Sequence, residues 1–445
     1  MSGALLLSLV LCLSKDERSC SWFDKRTTSV NVMAPNISAG GAAADAPNAA
    51  AFDRVDAPDP ALVDKCVHCG FCLPSCPTYV LWGEEMDSPR GRIQLIGMVE
   101  DGEVELDASV ALHLDRCLGC LACVPACPSG VRYDQLIERA RVQRRQQAPR
   151  SLRSRAVERA LFAVVPRPRL LRVLSWPLAL GLRPAVLAPR VSASDLRAAP
   201  PERTAAVGER RMSVALLSGC AQRVYFGRVN EASVRALAAR GCDVAVPPGQ
   251  GCCGALHLHG GRERDARRRA EATIEALSGY DRVVVTAAGC GSAMKGYGEL
   301  LETDRAREFA ERVCDVTELL AELPAPAAQE RSGETARRVV YQDACHLLHG
   351  QGVSEQPRRL LRSVPGVELV EIEDAGMCCG SAGTYNLLQP RAARELGERK
   401  ARAILAVRPD LIATANPGCA LQLAASLRRL GRGDLPIVHP VELLG

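Results

Sequence analysis

Lysine is nearly missing from this chain: 51 of its 56 basic residues are arginine and 5 are lysine. Aromatic side chains make up only 4%, and the net charge is only +5 over 445 residues. Nucleic-acid binding needs a strong basic field and stacking surfaces; with neither present, no nucleic-acid partner is expected. Long apolar runs are also missing. No stretch reaches the roughly 18 residues that a membrane-spanning helix needs, which argues against a chain that crosses a bilayer. With 47% apolar and 24% charged residues, the composition is that of a folded chain and not of a disordered or fibrous one. At about 150 residues per domain, two to four domains are expected.

Cysteine is in excess, with 20 residues. A chain of this length can bury its own cores without disulfide staples. The spacings below are those of metal ligands, which predicts a reducing, cytoplasmic location. Residues 4–13 form an apolar stretch of signal-peptide length, but no Lys or Arg precedes it and no clear A-x-A site follows, so a secretory leader is not expected. Met33 opens a more ordinary start, and residues 1–32 read as an upstream extension of the frame. Residues 1–60 as a whole read as a flexible lead-in; its part from 34 onward is rich in Ala, Pro, Gly, Asn and Asp.

Two runs stand out in residues 61–137. Cys66-x2-Cys69-x2-Cys72-x3-Cys76-Pro77 is repeated as Cys117-x2-Cys120-x2-Cys123-x3-Cys127-Pro128. This is the spacing of bacterial ferredoxins with two [4Fe–4S] clusters. A loop with a cysteine at every third position can wrap three corners of a cubane. The fourth cysteine lies past the wrap, where proline turns the chain away, and serves the neighbouring cluster. One cluster is therefore expected on Cys66, Cys69, Cys72 and Cys127, the other on Cys76, Cys117, Cys120 and Cys123. Zinc prefers paired C-x2-C knuckles and fits this pattern poorly. Gly70, Gly119 and Ala122 are small enough to let backbone N–H groups reach the cluster sulfides, one of the levers on potential. Between the runs lies a stretch over 94–113 that reads as helical. The arginines of Ser88-Pro89-Arg90-Gly91-Arg92 read first as ion-paired surface groups, with tuning of a cluster or contact with a partner as alternatives.

Residues 138–211 are rich in Arg and interrupted by Pro149, Pro166, Pro168, Pro177, Pro184 and Pro189. They read as a linker of short basic amphipathic helices, one of them over 150–164. They either pack on their neighbours or dock a partner subunit or anionic lipid. From 213 onward the pattern becomes α/β. β-branched runs at 214–217, 283–285, 338–341 and 411–413 alternate with helical stretches such as 231–240 and 262–277. This half is an internal repeat. Cys220 recurs as Cys345, Cys252-Cys253-Gly254 as Cys378-Cys379-Gly380, and Cys290 as Cys419, at offsets of 125, 126 and 129. The segment 315–320 (DVTELL) is echoed by 439–444 (HPVELL).

The expected fold is thus multidomain, α+β and α/β. A helical ferredoxin-like domain at 61–137 and the linker at 138–211 precede repeated Cys-Cys-Gly lobes at 212–325 and 336–445. Each lobe sets four thiols at strand ends (Cys220, Cys252, Cys253 and Cys290; Cys345, Cys378, Cys379 and Cys419), where α/β sheets place their sites. A third cluster, one per lobe, a structural zinc, a vicinal disulfide and unligated buried thiols all remain open. Cys242 and Cys314 read as core residues, and Cys12 and Cys20 as lead-in. His257, His259, His346 and His349 read as caps or core hydrogen-bonding groups, with a proton relay or cluster tuning as the alternative. Gly249-x-Gly251-x-x-Gly254 matches a dinucleotide fingerprint only formally, because Pro247-Pro248 interrupts the approach and no acidic residue ends the next strand. No flavin or nicotinamide is expected on this chain.

With these features placed, the chain resembles the iron–sulfur subunits of glycolate oxidase (glycolate dehydrogenase). It is similar more distantly to those of lactate utilisation, of anaerobic glycerol-3-phosphate dehydrogenase and of heterodisulfide reductase. The likeness covers about 61–445. It rests on Cys66-Val-His-Cys-Gly-Phe-Cys-Leu-Pro-Ser-Cys-Pro, Asp87-Ser-Pro-Arg-Gly-Arg-Ile, Cys117-Leu-Gly-Cys-Leu-Ala-Cys-Val-Pro-Ala-Cys-Pro and the two Cys-Cys-Gly lobes. The resemblance implies a flavin-bearing partner that oxidises glycolate to glyoxylate. It implies electron delivery to a quinone or other membrane acceptor, and peripheral association with the inner face of the cell membrane. The lobes of heterodisulfide reductase close with C-x-x-C. Here Cys290 is followed by Gly-Ser-Ala and Cys419 by Ala-Leu-Gln, so a five-cysteine cluster and disulfide reduction are disfavoured.

Overall fold

A computed structural model describes residues 52–53, 56–148, 152–179, 192–326 and 336–444. The apolar stretch 4–13, Met33, Cys12, Cys20 and most of the lead-in lie outside these residues, as do Pro149, Pro184 and Pro189 of the linker. Among the described residues no strand precedes Arg203, and no helix is long and apolar enough to cross a membrane.

The expected helical stretch 94–113 is two helices, Pro89–Glu100 and Ala108–Arg116. The first starts at Ser88, whose hydroxyl accepts from Gly91 N at 3.0 Å. Pro89 holds the first helical position, where a missing N–H removes no hydrogen bond. The chain then turns at Gly102, with φ +70°. Asp107 starts the next helix by accepting from Ser109 N and Val110 N at 2.8 and 2.9 Å. Helix Tyr133–Gln147 completes the domain. Ile96, Leu114, Leu136 and Ile137 are at most 1% exposed, each burial contributing roughly 1.5–3 kcal/mol, and Cys117 and Cys123 pack into the same core. This helix runs across the expected boundary at 137/138. Ala140 and Ala148 belong to the same core, so the domain's packing extends to the end of the helix. Its arginines give it the composition of a linker.

Strand β1 (Arg203–Thr204) also falls within the expected linker, and pairs antiparallel with β3 (Cys242–Ala245). The rest of the first sheet is parallel: β2 (Met212–Leu217), β4 (Arg282–Val285) and β5 (Val313–Asp315), in the order β1-β3-β2-β4-β5. The second sheet holds β6 (Arg337–Tyr341), β7 (Val367–Val370), β8 (Leu411–Ala413) and β9 (Ile437–Val438), ordered β7-β6-β8-β9 and parallel throughout. β3-β2-β4-β5 and β7-β6-β8-β9 are the same arrangement twice, the structural form of the sequence repeat. Parallel strands buried on both faces need unbroken apolar runs. Val214, Leu216, Val284, Val339, Val340 and Ile412 accordingly have no exposed surface. The lobes meet through helix Ala288–Lys295 against helix Cys345–Gln351, with Ala288 N donating to Ala415 O at 3.0 Å.

The echoed six-residue segments are matching helix caps. Asp315 accepts from Thr317 N at 2.8 Å while Glu318 accepts from Asp315 N at 3.1 Å. His439 Nδ1 accepts from Val441 N at 3.2 Å while Glu442 accepts from His439 N at 2.8 Å. Burial pushes these caps in opposite directions, Asp315 up to about 6 and His439 down to about 3. Below about pH 6.5 the unfolded chain takes up a histidine proton that the fold refuses, so stability falls as the pH falls, by about 1.4 kcal/mol per unit. Asp315 acts oppositely between about pH 6 and its unfolded value near 3.9: the fold binds the extra proton, and stability rises on acidification. His439→Asn, which keeps an acceptor at the cap, should therefore gain roughly 2 kcal/mol relative to the parent between pH 7 and pH 5, read as the shift in urea midpoint. Parallel pH profiles of the two proteins would contradict this.

Candidate functional site

The two cysteine loops share one backbone solution. His68 and Gly70 flank Cys69 with φ 53° and 85°, and Gly119 and Leu121 flank Cys120 with φ 65° and 64°. Left-handed non-glycine residues are costly by about 1–2 kcal/mol, and the same bend at equivalent places makes both loops curl. The first cavity is lined by Cys66, Cys69, Cys72 and Cys127, with Cys123 also at its wall. The second is lined by Cys76, Cys117, Cys120 and Cys123. Each cavity thus combines three thiols of one run with the last thiol of the other. Among the described residues no group of three or more His, Cys, Asp or Glu side chains closes tightly enough to hold a metal ion. The thiols surround spaces instead of meeting at a point, a donor set that fits a cluster better than a zinc ion.

The segment Asp87–Arg92 explains itself around these cavities. Asp87 and Arg92 are 0% and 1% exposed, which corrects the reading of Arg92 as a surface group. Arg92 donates to His113 O at 2.7 Å and to Thr78 Oγ1 at 3.1 Å, and lies 3.5 Å from Asp87. Asp87 is also met by His113 Nδ1 at 2.9 Å and Arg116 Nη1 at 2.6 Å. Thr78 Oγ1 stands 3.2 Å from Cys76 Sγ, so the ionic network ends on a thiol of the second cavity. Gly91 has no room for a Cβ, which would lie 2.0 Å from Glu85 O. Arg90 stays at the surface, paired with Glu85 at 2.6 Å, and donates to His68 O at 3.0 Å.

The loop glycines serve these arginines as much as the cluster. A Cβ on Gly70 would lie 2.8 Å from Arg90 Nη1, and one on Gly119 3.1 Å from Arg141 Nη1. Arg141 in turn donates to Cys117 O at 2.5 Å. Gly119 N–H reaches Cys117 Sγ at 3.4 Å, joined by Tyr133 OH at 3.5 Å. Burial alone would raise the Cys117 thiol. The positive charges of Arg92 and Arg141 and these two donors outweigh it and hold the thiol below its usual value. Burial leaves Cys120 and Cys123 well above theirs.

In the lobes the eight cysteines of the repeat follow the carboxyl ends of strands. Cys220 follows β2, and Cys345 opens the helix after β6. Cys252-Cys253 follow β3 and Cys378-Cys379 follow β7; Cys290 and Cys419 lie in the helices after β4 and β8. The motif glycine is explained in both copies. Gly254 and Gly380 have φ +89° and +82°, and a Cβ on Gly380 would lie 2.7 Å from Ala393 O. All eight lobe thiols line one cavity between the lobes. They pack closely, with Cys345 Sγ 3.9 Å from Cys378 Sγ, and hydrogen bonding drives neighbours apart: Cys252 and Cys345 fall well below the usual thiol value, Cys253 and Cys378 rise well above. Cys242 and Cys314 are buried in β3 and β5.

His257 accepts from Arg269 at 3.2 Å, and His349 bonds Gly376 O at 2.9 Å. His259 and His346 differ: their ring centroids are 5.0 Å apart at the lobe cavity, and His346 Nδ1 lies 3.6 Å from Cys345 Sγ. Sequence reasoning misses Tyr133, Arg141, Tyr385 and the buried Lys400, which donates to Ala375 O at 3.1 Å. No spacing rule marks them, because each reaches its cysteines only through the tertiary fold.

Residues 62–131 match the family model of the 4Fe–4S dicluster domain, and residues 214–295 and 339–424 each match the cysteine-rich domain. Fold and cysteines together define an iron–sulfur electron-transfer protein in which a dicluster domain is joined to a duplicated cysteine-rich domain. The chain is 37% identical over 415 residues to the probable glycolate oxidase iron–sulfur subunit of Bacillus subtilis, across 85% of this chain and 93% of that protein. It is 37% identical over 391 residues to the glycolate oxidase iron–sulfur subunit of Escherichia coli, across 85% and 94%. Lactate utilization protein A of Oceanobacillus iheyensis is 28% identical over 239 residues, across 52% of this chain and 96% of that protein. The chain belongs to the family of glycolate oxidase iron–sulfur subunits. It is therefore a cluster-bearing subunit of an oxidoreductase complex, with the catalytic subunit on another chain.

Proposed function

We propose that Cys66, Cys69, Cys72 and Cys127 hold one [4Fe–4S] cluster and Cys76, Cys117, Cys120 and Cys123 a second. The lobe thiols hold at least one further iron–sulfur centre. The chain then carries electrons from a flavin-bearing subunit that oxidises a 2-hydroxy acid, glycolate in the first instance, to a quinone or other membrane acceptor. The observation behind this is the pairing of cavities, each completed by a thiol of the opposite run. Clusters bound there supply one-electron steps. Around them Arg92 and Arg141 hold positive charge against Cys117, and Tyr133 and Gly119 donate to its sulfur, all favouring the reduced, more negative state. The first loop faces outward: Val67 and Phe71 are each 66% exposed and Cys69 is exposed, a surface for the flavin partner.

The test is anaerobic addition of glycolate to this chain assembled with its flavoprotein. Glycolate should bleach the iron–sulfur absorbance and produce the signals of reduced clusters, with lactate and glycerol 3-phosphate weaker. Reduction by glycerol 3-phosphate alone would move the assignment to that related complex.

Membrane contact falls on helix Pro168–Ala179. It buries Leu171 and Ser175 and exposes Leu170, Val173 and Leu174, in a stretch with six arginines and one acid between residues 152 and 179. An apolar stripe bordered by cations suits an anionic bilayer surface. Val173→Glu with Leu174→Glu should abolish flotation with phosphatidylglycerol vesicles and leave the iron content unchanged. Undiminished flotation would exclude this surface.

A further inference from the structure

We infer that electrons leave the dicluster domain into the second lobe and not the first, through the apolar cluster that holds Cys120 and Cys378 and against which Cys345 packs, with Leu118 and Tyr385 as positioning residues. This rests on the cluster assignments above. Leu118, Cys120 and Ala122 share one apolar cluster with Cys378, Tyr385 and Leu396, and Cys345 packs against it. Helix Pro77–Trp82, which begins right after Cys76, packs on helix Pro390–Ala406 of the second lobe. Leu121 lies 3.4 Å from where a Cβ would stand on Gly350, at the far end of the helix that begins with Cys345. Tyr385 lines the lobe cavity together with Cys117 and Cys378. Its hydroxyl is buried and has no hydrogen-bond partner.

The first lobe meets the dicluster domain differently. Helix Tyr133–Gln147 packs on helix Ala255–His259, and the contact is laced with charge: Arg132 to Glu299 at 3.1 Å, Arg139 to Glu263 at 3.0 Å and His259 to Glu138 at 3.5 Å. Cys253 and Cys290 of that lobe pack in a core cluster drawn from the first lobe alone. Cys117 and Leu118 also line the cavity that all eight lobe thiols share, but tunnelling weakens exponentially with distance and is better through packed atoms than across open space, so the packed, cysteine-bearing contact with the second lobe is the path. The step is a one-electron transfer in which no bond forms or breaks and no proton moves. A centre held by Cys76, Cys117, Cys120 and Cys123 would be the donor of that electron, and one held by Cys345, Cys378, Cys379 and Cys419 its acceptor.

Electron paramagnetic resonance of the dithionite-reduced full chain tests this. The signal of the Cys76/117/120/123 centre should be split by a neighbouring spin beyond the one in the first loop. That extra splitting should vanish in Cys378→Ala with Cys379→Ala and persist in Cys252→Ala with Cys253→Ala. Gly350→Leu keeps every thiol and crowds the helix of Cys345 against both Ser292 of the first lobe and Leu121, which a Cβ would meet at 2.5 and 3.4 Å. It should weaken the splitting at unchanged iron content, so the test survives a misfolded double variant. Loss of the splitting in the first-lobe variant, or its survival in the second-lobe variant, would overturn the route alone. An iron content of only about 8 atoms per chain, two cubanes and no more, would overturn the route together with the reading that the lobes are loaded.

Discussion

Replacing Cys127 with Ala is expected to destroy the cluster of the first loop, not the one wrapped by its own run. Cys127 lines the cavity of Cys66, Cys69 and Cys72, while Cys117 and Cys120 line the other. A cubane that loses one of four thiolates loses at least the iron that thiolate held, so iron in the dicluster domain should fall below about 8 atoms, to as few as about 4. The residual spectrum identifies which centre remains. Cys127→Ala should leave the same signal as Cys69→Ala, and Cys76→Ala the same signal as Cys117→Ala. If Cys127→Ala instead matches Cys117→Ala, each run holds its own cluster and the crosswise assignment is wrong.

The largest effect on stability is expected from Arg92→Met. Its guanidinium is buried against Asp87, Thr78 and His113 O. Methionine fills much of the volume, but leaves Asp87 with less compensating charge in a site with no access to water. Removing one partner of a buried pair costs about 3–5 kcal/mol, read from urea unfolding of the cluster-free chain. Asp87→Asn in the same protein should recover part of that loss, because it removes the stranded charge. In the loaded chain Arg92→Met should also lower the potential of the cluster nearest Cys117, since a positive charge that favours the reduced state is gone. A loss below about 1 kcal/mol would show that Arg92 behaves as a surface group.

Much of this architecture is legible in the amino-acid sequence. The eight spaced cysteines and the nearly constant offsets between the Cys-Cys-Gly segments carry the domain plan. The strands at 214–217, 283–285, 338–341 and 411–413 appear as β2, β4, β6 and β8, with Arg282 extending β4 and Arg337 extending β6. β1 and β9, of two residues each, have no length over which a period can show. Helix Tyr133–Gln147 carries its core pattern in Tyr133, Leu136, Ile137 and Ala140, but its arginines outweigh that pattern. Arg92 reads as a surface group for a related reason: hydropathy places arginine outside, and only the fold brings Asp87, 0% exposed, alongside it. The repeat shows that the lobes are equivalent, but a repeat does not say which way two lobes face. Their eight thiols meet in one cavity because helix Ala288–Lys295 docks on helix Cys345–Gln351, a contact that no local pattern encodes.

The most direct measurement is iron and zinc analysis of the anaerobically purified chain, together with paramagnetic resonance after dithionite. If opposite runs share their thiols between two cubanes, the protein is brown, carries at least about 8 irons, and gives two mutually broadened signals from neighbouring reduced clusters. A colourless protein with stoichiometric zinc and no signal on reduction would contradict the account.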